Sequence, residues 1–440
     1  MMMRKTTIGT IAMLLAAIQA SAAPGGDKTP LPLSDEQIEQ RIAAHRTAEV
    51  VLTVTDSAGK PLKNTSITVG QVSHKFLFGA NAFKTGQFSE AKLNAAYKQR
   101  FVELLNFGTL PFYLGAYERR QGRTRQDSLT TMARWCRQGD ITAKGHPLCW
   151  HEVVPKWLEG KSPAEVEKLQ LGRIARDVKA FAGLIDTWDV VNESVVMPNH
   201  KNAIGRLCKN LGRTELLKRT FATARKANPK ATLILNDFDT SRRFEQVIAD
   251  CIKSGVDFDV IGIQSHMHKR YWGARRAWDV CRRFAKFKKP LHFTELTILS
   301  GPLKTDNDWH KRRTDWHTSA EGEKRQAEQA VEFYRVLYSH PAVEAITWWD
   351  FSDNGAWQGA PAGLVRKDMS PKGAYQALKK LIKGKWWTGE MKLTTDTQGR
   401  VRFRGTLGQY SAAVTPGKVA GVFSLTKSGK ATLAVKTRRQ

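Results

Sequence analysis

Two segments hold the residues best suited to chemistry: WDVVNE at 188–193 and LHFTEL at 291–296. Each reads as a short apolar strand that reaches a carboxylate. Two glutamates at strand ends, Glu193 and Glu295, far apart in sequence, suit an acid and a nucleophile on one face of a barrel. Such a pair cleaves a glycosidic bond. One carboxyl group protonates the departing oxygen, and the other attacks the anomeric carbon.

The elements that must position this pair recur with a steady rhythm. Between residues 75 and 384, eight strand-like runs alternate with helical stretches. The runs include KFLFGANAF (75–83), ITAKGHPLCW (141–150), VIGIQSHM (260–267) and VEAITWWDFS (343–352). Stretches such as GEKRQAEQAVEFYRVLYSH between them repeat apolar residues at helical spacing. Continuous apolar strands alternating with helices imply a parallel sheet covered on both sides. Eight such units suit a (β/α)8 TIM barrel. A doubly wound open sheet is the competing architecture, but no Gly-rich phosphate loop follows the first strand.

Three further segments are expected around the barrel, which is assigned to 75–384. Residues 1–23 have a basic start, an apolar run and a small-residue cleavage site, the pattern of a secretory signal peptide. The apolar run is short for a membrane span. A secreted or periplasmic protein without stable membrane insertion is therefore expected. Residues 24–74 read as a linker, a short helix capped by Ser34 and a small β module; residues 385–440 read as a second small β module.

In a (β/α)8 barrel, polar residues at the carboxyl ends of strands face the active site. Here they include Asn81, His146, Trp150, His151, Asn192, Asn236, Gln264, His266 and Trp349 beside the two glutamates. Sugars favour this mixture: aromatic faces for a ring, and amide and imidazole groups for hydroxyls. His146, His151, His266 and His268 could also suggest a metal site, but histidines that serve a carboxylate or a hydroxyl suffice. Trp348 and Trp349 are adjacent and must point opposite ways in a strand. Spacing to Asp353 and Trp357 favours Trp349 as the site residue.

Five segments resemble the motifs of glycoside hydrolase family 10, the xylanase family. They are HPLCWHEVVPKWL (146–158), WDVVNES, IGIQSHMH (261–268), FTELTI, and ITWWDFSDNGAW (346–357) with SPKGAYQAL (370–378). The resemblance implies a retaining O-glycosyl hydrolase, endo-1,4-β-xylanase-like, with Glu193 as acid/base and Glu295 as nucleophile. It makes His146, Trp150, His151, Asn192, Gln264, His266, Trp349 and Trp357 the substrate-binding shell. It implies no cofactor and no metal. An exo-acting glycosidase or a transglycosylase on the same site remains open, as does a non-catalytic glycan-binding barrel.

The chain also departs from that family. The second strand usually ends in Glu-Asn followed by Lys-Trp, and here it reads TLPFYLGAYERRQG (109–122). Pro111, Phe112, Tyr113 and Tyr117 are expected to rebuild the donor side. Thr297 stands where the family places Asp, and Phe238 where it places Tyr. Ordinary xylan is thereby put in question as the substrate.

A net charge of +29 accompanies this pattern. No nucleic-acid-binding motif is present, so a nucleic-acid partner is not expected. Three basic clusters follow strands two, six and seven: Arg119, Arg120, Arg123 and Arg125; Lys269, Arg270, Arg275 and Arg276; Lys311, Arg312 and Arg313. Their loops belong to the catalytic side and suggest a polysaccharide with uronic acid groups. A uniformly basic surface is the rival reading. Five cysteines, an odd number, suggest buried thiols with room for one disulfide.

Overall fold

Short apolar runs bounded by loops become the staves of a closed barrel. In this computed structural model, which describes residues 31–414 and 418–436, eight parallel strands follow one another around the barrel in chain order. They are Leu77–Asn81, Phe107–Pro111, Thr142–His146, Thr187–Asn192, Thr232–Asp237, Val260–His266, Leu291–Thr297 and Val343–Trp348. The eighth closes on the first in the register Ala345↔Leu77 to Trp348↔Ala80. The signal-peptide pattern of residues 1–23 lies outside the described residues, as do residues 24–30.

Local chemistry sets where the covering helices begin. Ser162 accepts from the Glu165 N–H and Glu165 answers back at Ser162, a capping box that starts Pro163–Ala180 with proline in its first turn. Ser319 caps Ala320–Ser339, and Asn202 caps Ala203–Leu211. Each helix turns an apolar stripe to the sheet. Between the strands and their helices the fit is close. A Cβ on Gly145 would lie 2.1 Å from the Trp188 ring, so only glycine lets that fully buried indole pack across strand three against Phe112 and Phe181.

Register shifts bring the polar interior together. One falls between Asp189 and Val191 on the fourth strand, and one opposite Gln264 where strand six meets strand seven. A bulge re-aims the side chains beyond it. Asp189 and Asn192, three residues apart, can then both serve the site, against the two-residue alternation of a regular strand.

The two terminal β modules expected from the sequence are one body. Thr47–Thr55 pairs with both Arg400–Thr406 and Gly429–Lys436 in a three-stranded sheet. Ser66–His74 pairs with Met391–Thr394 and Gly408–Val414, and Lys418–Leu425 extends that sheet to four strands. Leu52, Val54, Ile67, Val69, Tyr410 and Leu425 form the core between them. Alternation along each segment marks a buried face, but does not name the partner segment that covers it.

All five cysteines, Cys136, Cys149, Cys208, Cys251 and Cys281, are free and buried, so the disulfide left open by the sequence does not form. Among the described residues, no helix is long and apolar enough to cross a membrane.

Arg46 ends the first helix, Asp35–Arg46, and joins the sandwich side to the barrel. Its guanidinium donates to the carbonyls of Tyr338 (2.7 Å), His340 (2.7 Å) and Val343 (2.8 Å). It also lies over the Phe76 and Tyr338 rings. Replacing it removes three hydrogen bonds, although His340 O keeps the Val343 N–H, and costs about 1–3 kcal/mol for each carbonyl left unpaired. Arg46→Met is expected to lose about 3 kcal/mol or more in urea unfolding. A loss below 1 kcal/mol would show that water replaces the guanidinium.

Candidate active site

Glu193 sits one residue past the fourth strand, with φ of +57°. For a non-glycine residue this backbone conformation costs about 1–3 kcal/mol. The surrounding bonds hold it there. The Glu193 N–H donates to Asn236 O (2.8 Å). Asp237 then accepts from the Val195 N–H (3.0 Å) and pins the loop beyond. The constraint delivers the Glu193 carboxyl to the barrel mouth, where its side chain is 14% exposed.

Glu295 lies inside the seventh strand, buried. An amide belt connects it with Glu193. Asn236 Nδ2 donates to Glu295 Oε1 (2.9 Å) and to Asn192 Oδ1 (2.7 Å). Gln264 Nε2 donates to Asn192 Oδ1 (3.1 Å) and to Glu193 Oε1 (3.1 Å). Asn192 Nδ2 reaches Glu193 Oε1 at 3.3 Å, and the Thr294 hydroxyl fixes the Asn236 amide at Oδ1 (2.6 Å).

Electrostatics then separate the two carboxyl groups. Burial pushes Glu193 up to about 8, and the Glu295 charge adds to the rise; N–H groups of Trp150 and Gln264 oppose it. The Trp150 indole N–H faces this carboxyl without a hydrogen bond of good geometry. Because Glu193 Oε1 accepts the amide donors, its acid proton belongs on Oε2. Burial pushes Glu295 upward as well, but His146 and His266 outweigh it and hold this group below its ordinary value.

Those two histidines are themselves positioned. His146 Nδ1 lies 2.7 Å from Asp189 Oδ2, which the buried Lys144 ammonium also approaches to 2.6 Å as an ion pair outside hydrogen-bond angles. Burial would raise Asp189, but Lys144 and His146 keep it below its usual value. Nε2 of His146 then faces Glu295 Oε1 at 3.9 Å. His266 Nε2 is 3.0 Å from Glu295 Oε2, and its Nδ1 is 2.9 Å from the Thr297 hydroxyl. Thr297 gives its own proton to Trp349 O (2.8 Å). It can therefore only accept from His266, so Nδ1 carries a hydrogen.

The cleft around this pair has a volume of about 570 Å³. Of the residues assigned from sequence, Glu193, Glu295, His146, Trp150, Asn192, Gln264, His266, Trp349 and Trp357 line it. His151 lies behind Glu193, its Nε2 3.7 Å from Oε2, and burial pushes its imidazole down to about 3. Trp348 is fully buried and donates to Ala362 O, whereas Trp349 packs edge-on to His146 and His266.

Several expectations change. Phe112 and Tyr117 are core residues, and of the four residues expected to rebuild the donor side only Tyr113 reaches the cleft. Its ring lies against His146 and Trp150. Of the three basic clusters, only Arg312 lines the cleft; Arg119, Arg120, Arg123 and Arg125 are exposed elsewhere. Lys84, His310 and Trp309 line it without having been singled out. Asp350 was also missed. It accepts from Asn81 Nδ2 (2.5 Å) and from the Trp357 N–H (2.6 Å). The clue was available, since ITWWD, like TLILND, is an apolar run that reaches a carboxylate.

Fold and site together define a class: a closed (β/α)8 barrel with an unequal pair of carboxyl groups at the carboxyl ends of its strands. Within that class, the chain belongs to glycosyl hydrolase family 10, whose sequence profile matches residues 72–381. It is 27% identical over 263 residues to endo-1,4-beta-xylanase B of Thermotoga neapolitana, covering 56% of this chain and 71% of that one. It is 25% identical over 393 residues to the anti-sigma-I factor RsgI6 of Acetivibrio thermocellus, covering 87% of this chain and 47% of that one. The aligned part is thus under half of that relative, and 37% of endo-1,4-beta-xylanase A of a Caldicellulosiruptor species. Native xylanase 10B from Thermotoga maritima shares the fold, with a TM-score of 0.59 and 24% identity over 71% of this chain and 96% of that one.

Burial of Glu193 also sets a pH dependence of stability. Its value rises from 4.5 to about 8 on folding, so the folded chain holds a proton that the unfolded chain releases. This contribution is complete below pH 4.5 and is lost as pH rises toward 8, by up to about 1.4 kcal/mol for each pH unit. Glu193→Gln should unfold like the parent near pH 4 and prove more resistant to urea near pH 8. A variant equally or less resistant at pH 8 would contradict the assigned shift.

Proposed function

We propose that the chain is a retaining glycoside hydrolase acting on β-linked, xylan-like polysaccharide. The observation that carries this reading is the amide belt that joins two glutamate carboxyl groups, with burial raising Glu193 while His146 and His266 lower Glu295. In the first step Glu193 Oε2–H protonates the glycosidic oxygen while Glu295 attacks the anomeric carbon. The bond to the leaving sugar breaks and a glycosyl–Glu295 ester forms. In the second step Glu193, now anionic, takes a proton from water, whose oxygen displaces Glu295. Trp150, Trp349, Trp357 and Tyr113 offer ring faces, and His146, Asn192, Gln264 and His266 offer polar groups to hydroxyls. The xylanase relatives support the same substrate class.

Glu193→Gln and Glu295→Gln should each slow hydrolysis of xylo-oligosaccharides, by roughly 100- to 10,000-fold for the acid/base position. The first product, followed by proton NMR, should keep the β configuration. An inverted product, or a variant at the parent rate, would sink the assignment. Product sizes separate endo cleavage from exo cleavage and from transfer.

Acidic decoration of the glycan is a finer part of this proposal. The cations it relies on are Lys84 and Arg312, both in the cleft wall. Gly355 leaves room for the first, since a Cβ there would meet Lys84 Cε and Nζ at 2.5 Å. One charge-assisted bond to a uronate is worth about 1.5–3 kcal/mol. Lys84→Gln should then raise KM about tenfold on uronate-decorated xylo-oligosaccharides and leave it unchanged on plain ones. Equal changes on both would remove the acidic reading. Export rests on the amino-terminal pattern alone, and fractionation of cells making the full chain tests it: a product that stays cytoplasmic and uncleaved excludes it.

A further inference from the structure

The four histidines that hinted at a metal do not gather around one point; His146 and His266 both serve Glu295. His151 instead meets Glu152 and His200. One ligand atom from each of these three residues lies within 4.8 Å of the others, the one such group among the described residues. His151 and Glu152 come from the loop after the third strand. His200 follows the turn Met197–Asn199 beyond the fourth.

The His151 imidazole is 1% exposed, and its Nδ1 has no hydrogen-bond partner. Leaving a buried polar atom unpaired is unfavourable, so such an atom calls for an explanation. Its other nitrogen already faces Glu193 Oε2 at 3.7 Å. His200 Nδ1 is 3.7 Å from Glu152 Oε1, and both side chains are 32% exposed, which leaves an entry path from solvent.

The frame is built. Asn202 Nδ2 donates to His151 O, tying the two loops together. The same Asn202 caps Ala203–Leu211. A Cβ on Gly205 would lie 2.0 Å from His200 O, so glycine allows that helix to press against the His200 backbone. Both loops are thus located by contacts that need no ion.

We propose that His151, Glu152 and His200 bind one divalent transition-metal ion of the zinc class at the edge of the cleft. Two imidazoles and a carboxylate are a familiar ligand set for zinc, cobalt and nickel, with water completing the shell. The His151 Nδ1 is the inner ligand. Its Nε2 is then the ring nitrogen that faces Glu193 Oε2 at 3.7 Å, beyond hydrogen-bond distance. The site is independent of whether the barrel hydrolyses xylan, because it needs only the three ligands and the two loops.

The test uses the untagged full chain freed of metal. Zinc is titrated by calorimetry, and cobalt by its visible absorption. One equivalent should bind. His200→Ala and Glu152→Gln should each weaken binding at least tenfold while the melting temperature without metal stays within a few degrees. His310→Ala, which alters an exposed histidine elsewhere in the cleft wall, should bind as the parent does. Absence of a one-to-one complex, or affinity unchanged in both His200→Ala and Glu152→Gln, overturns the proposal.

Discussion

Two carboxyl groups on one buried amide belt cannot both be ionised cheaply, and much of the structure follows from that constraint. Like charges in a region of low dielectric repel strongly. Lys144 and the His146 and His266 imidazoles gather at Glu295 and draw its value down, while Glu193 receives amide N–H groups. The amides reinforce the choice. Both oxygens of Glu295 have nitrogen partners, Asn236 Nδ2 at Oε1 and His266 Nε2 at Oε2, whereas the donors to Glu193 converge on Oε1. One oxygen of Glu193 is left to hold a proton.

The barrel supplies the rigidity this division requires. Asp189, Asn192, Asn236, Gln264 and Glu295 lie on four neighbouring strands, each tied to the next by backbone bonds. Bulges at Val190 and opposite Gln264 shift the phase so that consecutive polar groups meet. At the far ends of the chain, strands from both termini share two sheets. Both are needed to complete one core, so neither could fold as an independent module.

Legibility followed periodicity. The eight strands were readable because each is a continuous apolar run with polar residues at its end. The glutamates were readable because they stand at such ends. Partnership between Thr47–Thr55 and Arg400–Thr406 was not, since alternation reports a buried face and not what covers it. Trp309, His310 and Arg312 lie in a segment between the seventh strand and its helix that has no regular secondary structure, and no spacing places their side chains. The basic clusters failed for a related reason. A loop's position after a strand gives the end of the barrel, but not the direction of an arginine. Arg313 turns to Asp306, and Lys269 to Asn307 and the Trp309 ring.

The altered second strand shows how a lost polar wall is replaced. Phe112 and Tyr117 do not line the cleft; they withdraw into the core. Phe112 packs against Tyr117, Phe181 and Trp188. Arg173 from the helix after strand three then donates to the Phe112 and Leu148 carbonyls and pairs with Asp177 at 3.1 Å. What remains at the cleft is the Tyr113 ring. Charge and hydrogen-bonding capacity enter instead from neighbouring strand ends: Asn81 and Lys84 after the first, Asp350 and Trp357 after the eighth. These strands adjoin across the closure of the barrel, with Trp348 opposite Ala80. The polar lining on this side of the glutamates therefore lies around the rim toward the seam, beside the pair and its belt.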